Sequence, residues 1–270
     1  MKFSVLMSVY YKESPKFLYE ALESILTQTV MPSEIVCIKD GLLTEGLEAV
    51  LNEFSTKYED MFKFIGFDEN KGLGYALRIG VEECSYEIIA RMDTDDIAKK
   101  DRFEKQLNII NEQNVDIVGS NILEFDGNID NIISRRDVPS TFEAIKEYAK
   151  KRNPFNHMTV MYKKTAVLKA GNYKEFLWFE DYNLWIRMIV SGAKMYNINE
   201  ALVYARTGTA MFERRGGLKY VKKEYSMQKD MQRLKFISKY RFVINVLERA
   251  VIRVIPNKLR KLVYMKLLRK

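Results

Sequence analysis

Residues 87–96, Glu-Ile-Ile-Ala-Arg-Met-Asp-Thr-Asp-Asp, decide the fold class of this chain. They begin as an apolar run with the length of a buried strand, and they end in three carboxylates, Asp93, Asp95 and Asp96. In open α/β sheets, ligands bind at the edge formed by the carboxyl ends of the strands. The segment therefore predicts a sheet whose ligand-binding edge carries a cluster of acids.

Short apolar strands and amphipathic helices alternate on both sides of this segment. Before it, the pattern predicts strands at 3–10, 35–38 and 62–67 and helices at 15–28, 47–58 and 72–83. After it, the pattern predicts a helix following Asp101, strands at 116–125, 158–162 and 194–204, and helices at 141–151 and 181–191. This alternation indicates the α/β class, with a mostly parallel sheet flanked by helices on both faces.

The chain has 270 residues and is 47% hydrophobic, which suits one catalytic domain with a short appendage. We expect residues 1–215 to form the catalytic domain and residues 216–270 to form a basic helical extension. The boundary is expected near Gly216 and Gly217. From Val221 the pattern predicts helix to the end of the chain, broken at Pro256.

The net charge of +8 is concentrated in the last part of the chain. Residues 236–270 hold ten Lys and Arg against one acid, a net +9, which leaves 34 basic and 35 acidic residues, a net −1, in the rest. The near-neutral body argues against a nucleic-acid-binding protein. Basic amphipathic helices bind anionic membrane surfaces, so we expect a cytoplasmic protein held peripherally on the inner face of the plasma membrane. The alternative is a helix that packs on the body and keeps a solvated basic face.

Cys37 and Cys84 each fall in or beside an apolar run, and neither belongs to a Cys-x-x-Cys or Cys/His cluster. We expect both to be reduced thiols in the core of a cytosolic protein. The apolar start of the chain is too short for a signal peptide, and no run of 18 apolar residues predicts a spanning helix.

The acids at 93–96 predict a metal site. Neighbouring carboxylates repel one another unless a cation joins them, and Mg²⁺ or Mn²⁺ prefers oxygen ligands. Such an ion would bridge a diphosphate and neutralise the charge of a departing nucleotide. Either Asp95 or Asp96 would be the main ligand, because the run of three acids leaves the register open. The alternative is that these acids cap the helix that follows.

Further candidates for nucleotide binding follow the other strands. Asp40 ends the second strand and would accept hydrogen bonds from a ribose or a base, while Tyr10 ends the first strand and would stack on a base. Asn70 opens a glycine-containing turn before a helix N-terminus, which favours an anion, and Arg78 lies two turns further along. For each residue a purely structural role is the alternative.

A pair of acids among aromatic residues predicts the catalytic group. Glu180 and Asp181 follow Trp178 at the start of an amphipathic helix, where an acid is suited to take a proton from an acceptor hydroxyl. Aromatic faces such as that of Trp178 are suited to hold a sugar ring. His157 is the single histidine and is a candidate for phosphate or acceptor contact. Helix capping by Asp181 and a structural role for His157 are the alternatives.

Taken together, these segments resemble the family 2 glycosyltransferases, whose fold is called GT-A. The resemblance rests on residues 3–13 and 21–29, Asp40-Gly41, the Asn70/Gly72 turn, the acids from Asp93 to Asp95 and the Glu180-Asp181 pair, over roughly the first 210 residues. Within the family, the chain is most similar to bacterial exopolysaccharide transferases of the amylovoran type.

The resemblance implies an inverting, metal-dependent transfer of a sugar from a nucleotide-sugar to a hydroxyl of a lipid-linked surface polysaccharide intermediate. UDP is the expected nucleotide, and an undecaprenyl-diphosphate-linked glycan is the expected acceptor. Tyr10 and Asp40 would hold the base, Asp93 would face the ribose, Asp95 would bind the metal and Asp181 would be the catalytic base.

Three features of the sequence depart from patterns found in the family. Tyr11 and Arg78 stand where many members have Asn. The Gln-x-x-Arg-Trp signature of processive synthases is absent, so we expect the transfer of one sugar rather than polymerisation.

Three other functions are the alternatives. An aspartyl phosphohydrolase usually carries its acids after the first strand, and a nucleotidylyltransferase needs a glycine-rich basic loop there, whereas residues 10–13 contain no glycine. The third is a non-catalytic protein that binds a membrane surface through the basic tail.

Overall fold

The computed structural model describes residues 1–207 and 218–254 of the chain. The predicted domain boundary at Gly216-Gly217, the break at Pro256 and the end of the basic tail lie outside the described residues. The division of the chain into residues 1–215 and 216–270 therefore stays a prediction.

The first part of the chain forms four parallel strands with a helix after each of the first three. The elements are β1 (Phe3–Val9), α1 (Pro15–Leu26), β2 (Glu34–Lys39), α2 (Glu45–Lys57), β3 (Phe62–Gly66), α3 (Leu73–Glu83) and β4 (Ile88–Arg91). The strands lie in the order β3-β2-β1-β4, with Val5 of β1 opposite Ile35 and Ala90 on its two neighbours. This parallel half confirms the alternation read from the sequence.

The second part of the chain extends the same sheet with both parallel and antiparallel pairs. Its elements are β5 (Ile97–Ala98), α4 (Arg102–Gln113), β6 (Ile117–Phe125), β7 (Ile132–Arg136), α5 (Phe142–Ala149), a 3₁₀ turn (His157–Thr159), β8 (Met161–Lys163), α6 (Lys164–Lys169), α7 (Glu180–Val190), β9 (Met195–Arg206), α8 (Leu218–Arg233) and α9 (Lys239–Val254). The sheet continues from β4 in the order β8-β6-β9-β5, and β7 pairs with β6. The strand pair β6–β9 is parallel, and the pairs β4–β8, β6–β8, β6–β7 and β5–β9 are antiparallel.

Helices cover both faces of the sheet and create two hydrophobic cores. On β1, Val5 and Met7 point into the core shared with α1, α2 and α4, while Leu6 points into the core shared with α3 and α7. This alternation follows from the two-residue period of a strand. The α/β class with helices on both faces is confirmed. Cys37 and Cys84 are buried and unpaired, as expected.

The predicted unbroken helix from Val221 is wrong over the described residues. Two helices, α8 and α9, replace it, because Lys235 adopts a left-handed conformation with φ of +56° that ends α8. Met227 and Met231 of α8 are buried in the core of α3 and α7. The predicted strand at 158–162 is also shorter, since the 3₁₀ turn occupies its beginning. No helix within the described ranges is long and apolar enough to cross a membrane.

Candidate active site

The three acids that follow β4 form a compact cluster. Their side chains place one carboxylate oxygen each from Asp93, Asp95 and Asp96 within 4.8 Å of one another. Asp93 forms an ion pair with Arg91, and Oδ1 of Asp96 accepts a hydrogen bond of 2.8 Å from the backbone N–H of Arg206. Oδ2 of the buried Asp96 has no hydrogen-bond partner in the part of the chain that the structure describes.

The cluster holds more negative charge than its surroundings stabilise. Burial, followed by the charge of Asp93, raises the pKa of Asp95 to about 6. Burial and the charges of Asp95 and Asp93 raise the pKa of Asp96 well above its usual value. A divalent cation would remove this repulsion, and three carboxylates within reach of one another fit the oxygen ligands of Mg²⁺ or Mn²⁺. The residues present therefore fit a metal.

Arginines that sequence reasoning did not single out organise this cluster. Arg206 packs its guanidinium over Phe17 and Phe125, at 3.9 and 4.6 Å from the ring centroids, and donates to the backbone oxygen of Asp95 at 3.0 Å. Arg91 is only 2% exposed, and its position inside an apolar strand was the one signal in the sequence. Arg206 lies 110 residues beyond Asp96, so no local pattern could have linked the two.

Tyr10 and Asp40 lie side by side at the same edge of the sheet, as the sequence predicted. The backbone N–H of Asp40 donates to the oxygen of Val9, the residue before Tyr10, at 2.8 Å. Tyr10 is half-buried.

The carboxylate of Asp40 ties β2 to the turn before α3. Asp40 is 3% exposed, and its Oδ1 accepts from the N–H of Lys71 at 2.7 Å. Its Oδ2 accepts from the N–H of Gly72 and from Nδ2 of Asn70, both at 3.0 Å. Two of the predicted nucleotide-binding features, Asp40 and Asn70, are therefore one hydrogen-bonded unit.

Gly41 is required for this unit by its conformation and by the lack of space. Its φ is +92°, and a Cβ there would lie 2.9 Å from the backbone nitrogen of Asn70. We expect Gly41→Ala to lower the free energy of unfolding by about 1–3 kcal/mol and to weaken nucleotide binding, because the turn must move. Chemical denaturation and calorimetric binding of UDP measure the two effects.

Gly127→Ala is the matched control, since Gly127 also has a positive φ, of +69°, but a Cβ there meets nothing within 4 Å. It should cost stability through the backbone alone and leave nucleotide binding intact. Equal nucleotide affinity in the Gly41 and Gly127 variants would contradict the role given to the turn.

Arg78 lies on α3 with its guanidinium 4.9 Å from the ring centroid of Tyr75. The side chain of Arg78 is half-buried. The backbone oxygen of Arg78 accepts a hydrogen bond of 3.0 Å from Nδ2 of Asn172. Its expected contact with phosphate stays a prediction.

Glu180 and Asp181 begin α7 next to the start of α3. A Cβ on Gly74 of α3 would lie 3.4 Å from Cβ of Glu180, so the two helix starts are in close contact. Asp181 is anchored by both oxygens: Oδ2 accepts from Nδ2 of Asn153 at 2.5 Å, and Oδ1 accepts from the N–H of Tyr182 at 2.7 Å.

Both acids of the pair are harder to ionise than usual. Burial raises the pKa of Asp181, although the hydrogen bond from Asn153 lowers it. Burial and the charge of Asp181 raise the pKa of Glu180 to about 7. Buried acids with such shifts are candidates for a catalytic role.

Trp178 and His157 both contact aromatic residues. Trp178, with φ of +71°, stacks on Tyr220 of the C-terminal part at 5.1 Å between ring centroids, and it is 37% exposed. Nε2 of His157 lies 3.0 Å from the hydroxyl of Tyr173, and burial lowers the pKa of the imidazole well below its usual value. His157 is therefore neutral at neutral pH.

The buried charge of Arg91 connects the two groups of acids. It acts on the pKa of Asp95 and Asp96 on one side and on those of Glu180 and Asp181 on the other. The acid cluster and the acid pair therefore both lie within the electrostatic range of one buried cation, which forms an ion pair with Asp93.

Comparison with known proteins gives the same result for most of the chain. Residues 4–177 match the model of glycosyl transferase family 2. The chain is 37% identical to the UDP-Gal:alpha-D-GlcNAc-diphosphoundecaprenol beta-1,3-galactosyltransferase of Escherichia coli, with 100% of this chain and 97% of the relative covered. It is also 37% identical to the amylovoran biosynthesis glycosyltransferase AmsE of Erwinia amylovora, with 98% of each covered.

Among solved structures, residues 1–349 of S. aureus TarS in complex with UDP-GlcNAc superpose with a TM-score of 0.67 at 16% identity. The match covers 93% of this chain and 72% of that one, and it shows a shared fold. The resemblance to family 2 and to amylovoran-type transferases is confirmed, and so is the GT-A fold. The chain belongs to glycosyltransferase family 2 and is a glycosyltransferase.

Proposed function

We propose that this enzyme transfers one sugar from a UDP-sugar to a hydroxyl of a lipid-linked polysaccharide intermediate, with inversion at the transferred carbon. The name of the E. coli relative, which states a UDP-galactose donor and a diphosphoundecaprenol-linked acceptor, supports this choice over the full length of the chain. The observation that carries the proposal is an acid cluster suited to a metal at the end of β4, with an acid pair suited to proton transfer at the start of α7, which contacts the start of α3.

The donor would lie along the edge formed by the ends of β1, β2 and β4. Tyr10 and Asp40 would hold the base, and Asp93 would face the ribose. Asn70 and Arg78 would lie towards the phosphates, where the N-terminus of α3 favours negative charge. Asp95, which is half-buried, would be the main metal ligand, since Asp96 is 2% exposed and already bonded to the backbone of Arg206. A bound Mn²⁺ or Mg²⁺ supplies charge neutralisation to the departing diphosphate.

The acceptor would approach the opposite face of the donor sugar, from the side of α7. Asp181 takes the proton of the acceptor hydroxyl while that oxygen forms a bond to the anomeric carbon. The bond from the anomeric carbon to the phosphate oxygen breaks, UDP leaves with the electron pair, and the configuration inverts. Trp178, Glu180 and His157 would contact the acceptor or the sugar. Holding both reactants in line removes much of the entropic barrier.

Calorimetric binding of a panel of nucleoside diphosphates, with and without Mn²⁺, tests the donor side of the proposal. We expect UDP to bind most tightly and its affinity to fall at least about tenfold without the metal. Tighter binding of GDP, or equal binding of UDP in the presence of EDTA, would exclude a metal-dependent UDP-sugar transferase.

The membrane contact proposed for the C-terminal part has a candidate surface on α9. Tyr240, Val243 and Leu247 recur at helical spacing and are 77, 51 and 61% exposed. Exposed basic residues accompany them on α8 and α9, namely Lys222, Lys229, Arg233 and Lys239. The opposite face of α9 packs on the body, where Asn245 donates to the oxygen of Lys150 at 2.8 Å. This placement supports peripheral attachment to the cytoplasmic face of an anionic membrane, where a lipid-linked acceptor would lie.

Co-sedimentation with vesicles that contain phosphatidylglycerol tests this surface. Replacing Tyr240, Val243 and Leu247 together by serine should lower the partition coefficient at least about tenfold, because three apolar side chains no longer enter the interface. Ile132→Ser with Ile133→Ser is the control, since these side chains of β7 are also exposed. Equal binding by the α9 variant and the control would contradict the assignment.

A further inference from the structure

Asn153 lies between α5 and the 3₁₀ turn with its amide fixed in one orientation. Its Oδ1 accepts a hydrogen bond of 3.2 Å from the backbone N–H of Phe155. Its Nδ2 therefore faces away from the N–H of Phe155, and it donates to Oδ2 of Asp181 at 2.5 Å. A hydrogen bond from an amide to an ionised carboxylate is charge-assisted and stronger than one between neutral groups.

The segment that carries Asn153 is held from three sides. The oxygen of Pro154 accepts from Nδ2 of Asn197 at 3.1 Å, and Nδ2 of Asn156 donates to the oxygen of Ser120 at 2.8 Å. Phe155 is fully buried, with its ring centroid 5.5 Å from that of Trp185 on α7. Asn153 is therefore presented to α7 by a rigid platform that also contacts α7 directly.

The carboxylate of Asp181 has each oxygen fixed by one donor. Nδ2 of Asn153 holds Oδ2, and the N–H of Tyr182 holds Oδ1. A carboxylate oxygen accepts two hydrogen bonds, so each oxygen keeps one lone pair for an acceptor hydroxyl. The two donors determine the plane of the carboxylate and hence the direction of those lone pairs.

We propose that Asn153 is a positioning residue for sugar transfer, which orients the carboxylate of Asp181 and stabilises its negative charge. The proposal rests on the proposed function, in which Asp181 takes the proton of the acceptor. Asn153 acts through Asp181 and needs no contact with either substrate.

Several charged and titratable groups surround the carboxylate of Asp181. Glu180 lies next to it on the same helix, and the charge of Asp181 raises the pKa of Glu180. Arg136 on β7 and Arg91 on β4 both lower the pKa of Asp181, and the phenols of Tyr173 and Tyr182 lie within its field. Burial raises the pKa of Asp181, and the bond from Asn153 is the largest influence that lowers it.

The sign of the expected pH effect follows directly. Asp181 accepts a proton only as a carboxylate, so activity falls on the acidic side as Asp181 becomes protonated. Loss of the hydrogen bond from Asn153 removes a stabilisation of the charged form and raises the pKa of Asp181. The acidic limb of the kcat profile should therefore move to higher pH in variants of Asn153.

The test compares two substitutions with a control in the same segment. Asn153→Ala removes the donor, and Asn153→Asp keeps the size but places a second carboxylate opposite Asp181. We expect kcat at pH 7 to fall about tenfold or more in the Ala variant and further in the Asp variant. The acidic limb of the kcat profile should move to higher pH in the Ala variant and still higher in the Asp variant. The KM for the donor sugar should stay unchanged. Asn156→Ala loosens the same segment at the bond to Ser120 and should leave the limb in place.

Three outcomes separate the possibilities. An unmoved limb in both Asn153 variants, with Asp181→Asn inactive, would overturn the positioning role while keeping Asp181 as the base. An equal shift in the Asn156 variant would also overturn it, since the effect would then be a general loosening. Full activity of Asp181→Asn would overturn the proposed function itself. Thermal unfolding of each variant identifies any that fails to fold, and the isosteric Asp substitution then carries the test.

Discussion

Asp181→Asn is expected to lower kcat by at least about 10²-fold while the enzyme still binds its nucleotide donor. The substitution keeps the shape of the side chain but removes the carboxylate that accepts the proton. One hydrogen bond is also lost. The amide of Asn has a single oxygen, which can accept from Nδ2 of Asn153 or from the N–H of Tyr182 but no longer offers one oxygen to each. The fall should be confined to transfer, since Asp181 lies on α7 and the nucleotide residues lie on the ends of β1, β2 and β4.

Steady-state transfer rates and calorimetric UDP affinity measure the two parts of this prediction. Glu175→Gln is the control, since Glu175 is an exposed acid in the turn that leads to α7. Turnover near that of the wild type in Asp181→Asn would remove Asp181 as the base. Glu180, whose pKa is raised to about 7 and whose Oε2 has no partner among the described residues, would then be the next candidate.

Asp95→Ala should abolish the metal dependence of nucleotide binding. Asp93 and Asp95 are the partly exposed acids among three carboxylates within 4.8 Å, and Asp93 is already paired with Arg91, so the loss of Asp95 removes a ligand that is free to bind a metal. We expect the affinity for UDP in the presence of Mn²⁺ to fall at least about tenfold and to become equal to the affinity in EDTA.

The stability of the metal-free protein separates this effect from unfolding. Burial and repulsion by Asp93 raise the pKa of Asp95, so its removal should not lower the free energy of unfolding at neutral pH. Asp101→Ala is the control, because Asp101 follows the cluster and forms an ion pair of 2.7 Å with Lys105. Unchanged Mn²⁺-dependent UDP affinity in Asp95→Ala would contradict the metal assignment.

Local patterns were sufficient to predict the architecture around the site. An apolar run ending in acids predicted β4 and the cluster, and the strand–helix alternation predicted the α/β class. Asp40 and Tyr10 were correctly expected at the same edge, because parallel strands end together. These features depend on residue order within one element or on a general rule of sheet topology.

Local patterns could not predict contacts between segments that are distant in the sequence. The bond from Asn153 to Asp181 spans 28 residues, the joint between Asp40 and Asn70 spans 30, and the bond from Arg206 to Asp96 spans 110. The break between α8 and α9 was also missed, because the left-handed Lys235 carries no glycine or proline signal. The helical spacing of apolar residues continues through Lys235, so the sequence predicts one helix where the structure has two.

The proposed sugar transfer can be measured by incubating the wild-type enzyme with Mn²⁺, UDP-sugars and a synthetic prenyl-diphosphate-linked sugar, and by determining the product by NMR. We expect one added sugar, joined to an acceptor hydroxyl with inverted anomeric configuration. Retained configuration, a polymer, or release of UDP without transfer to the acceptor would contradict it.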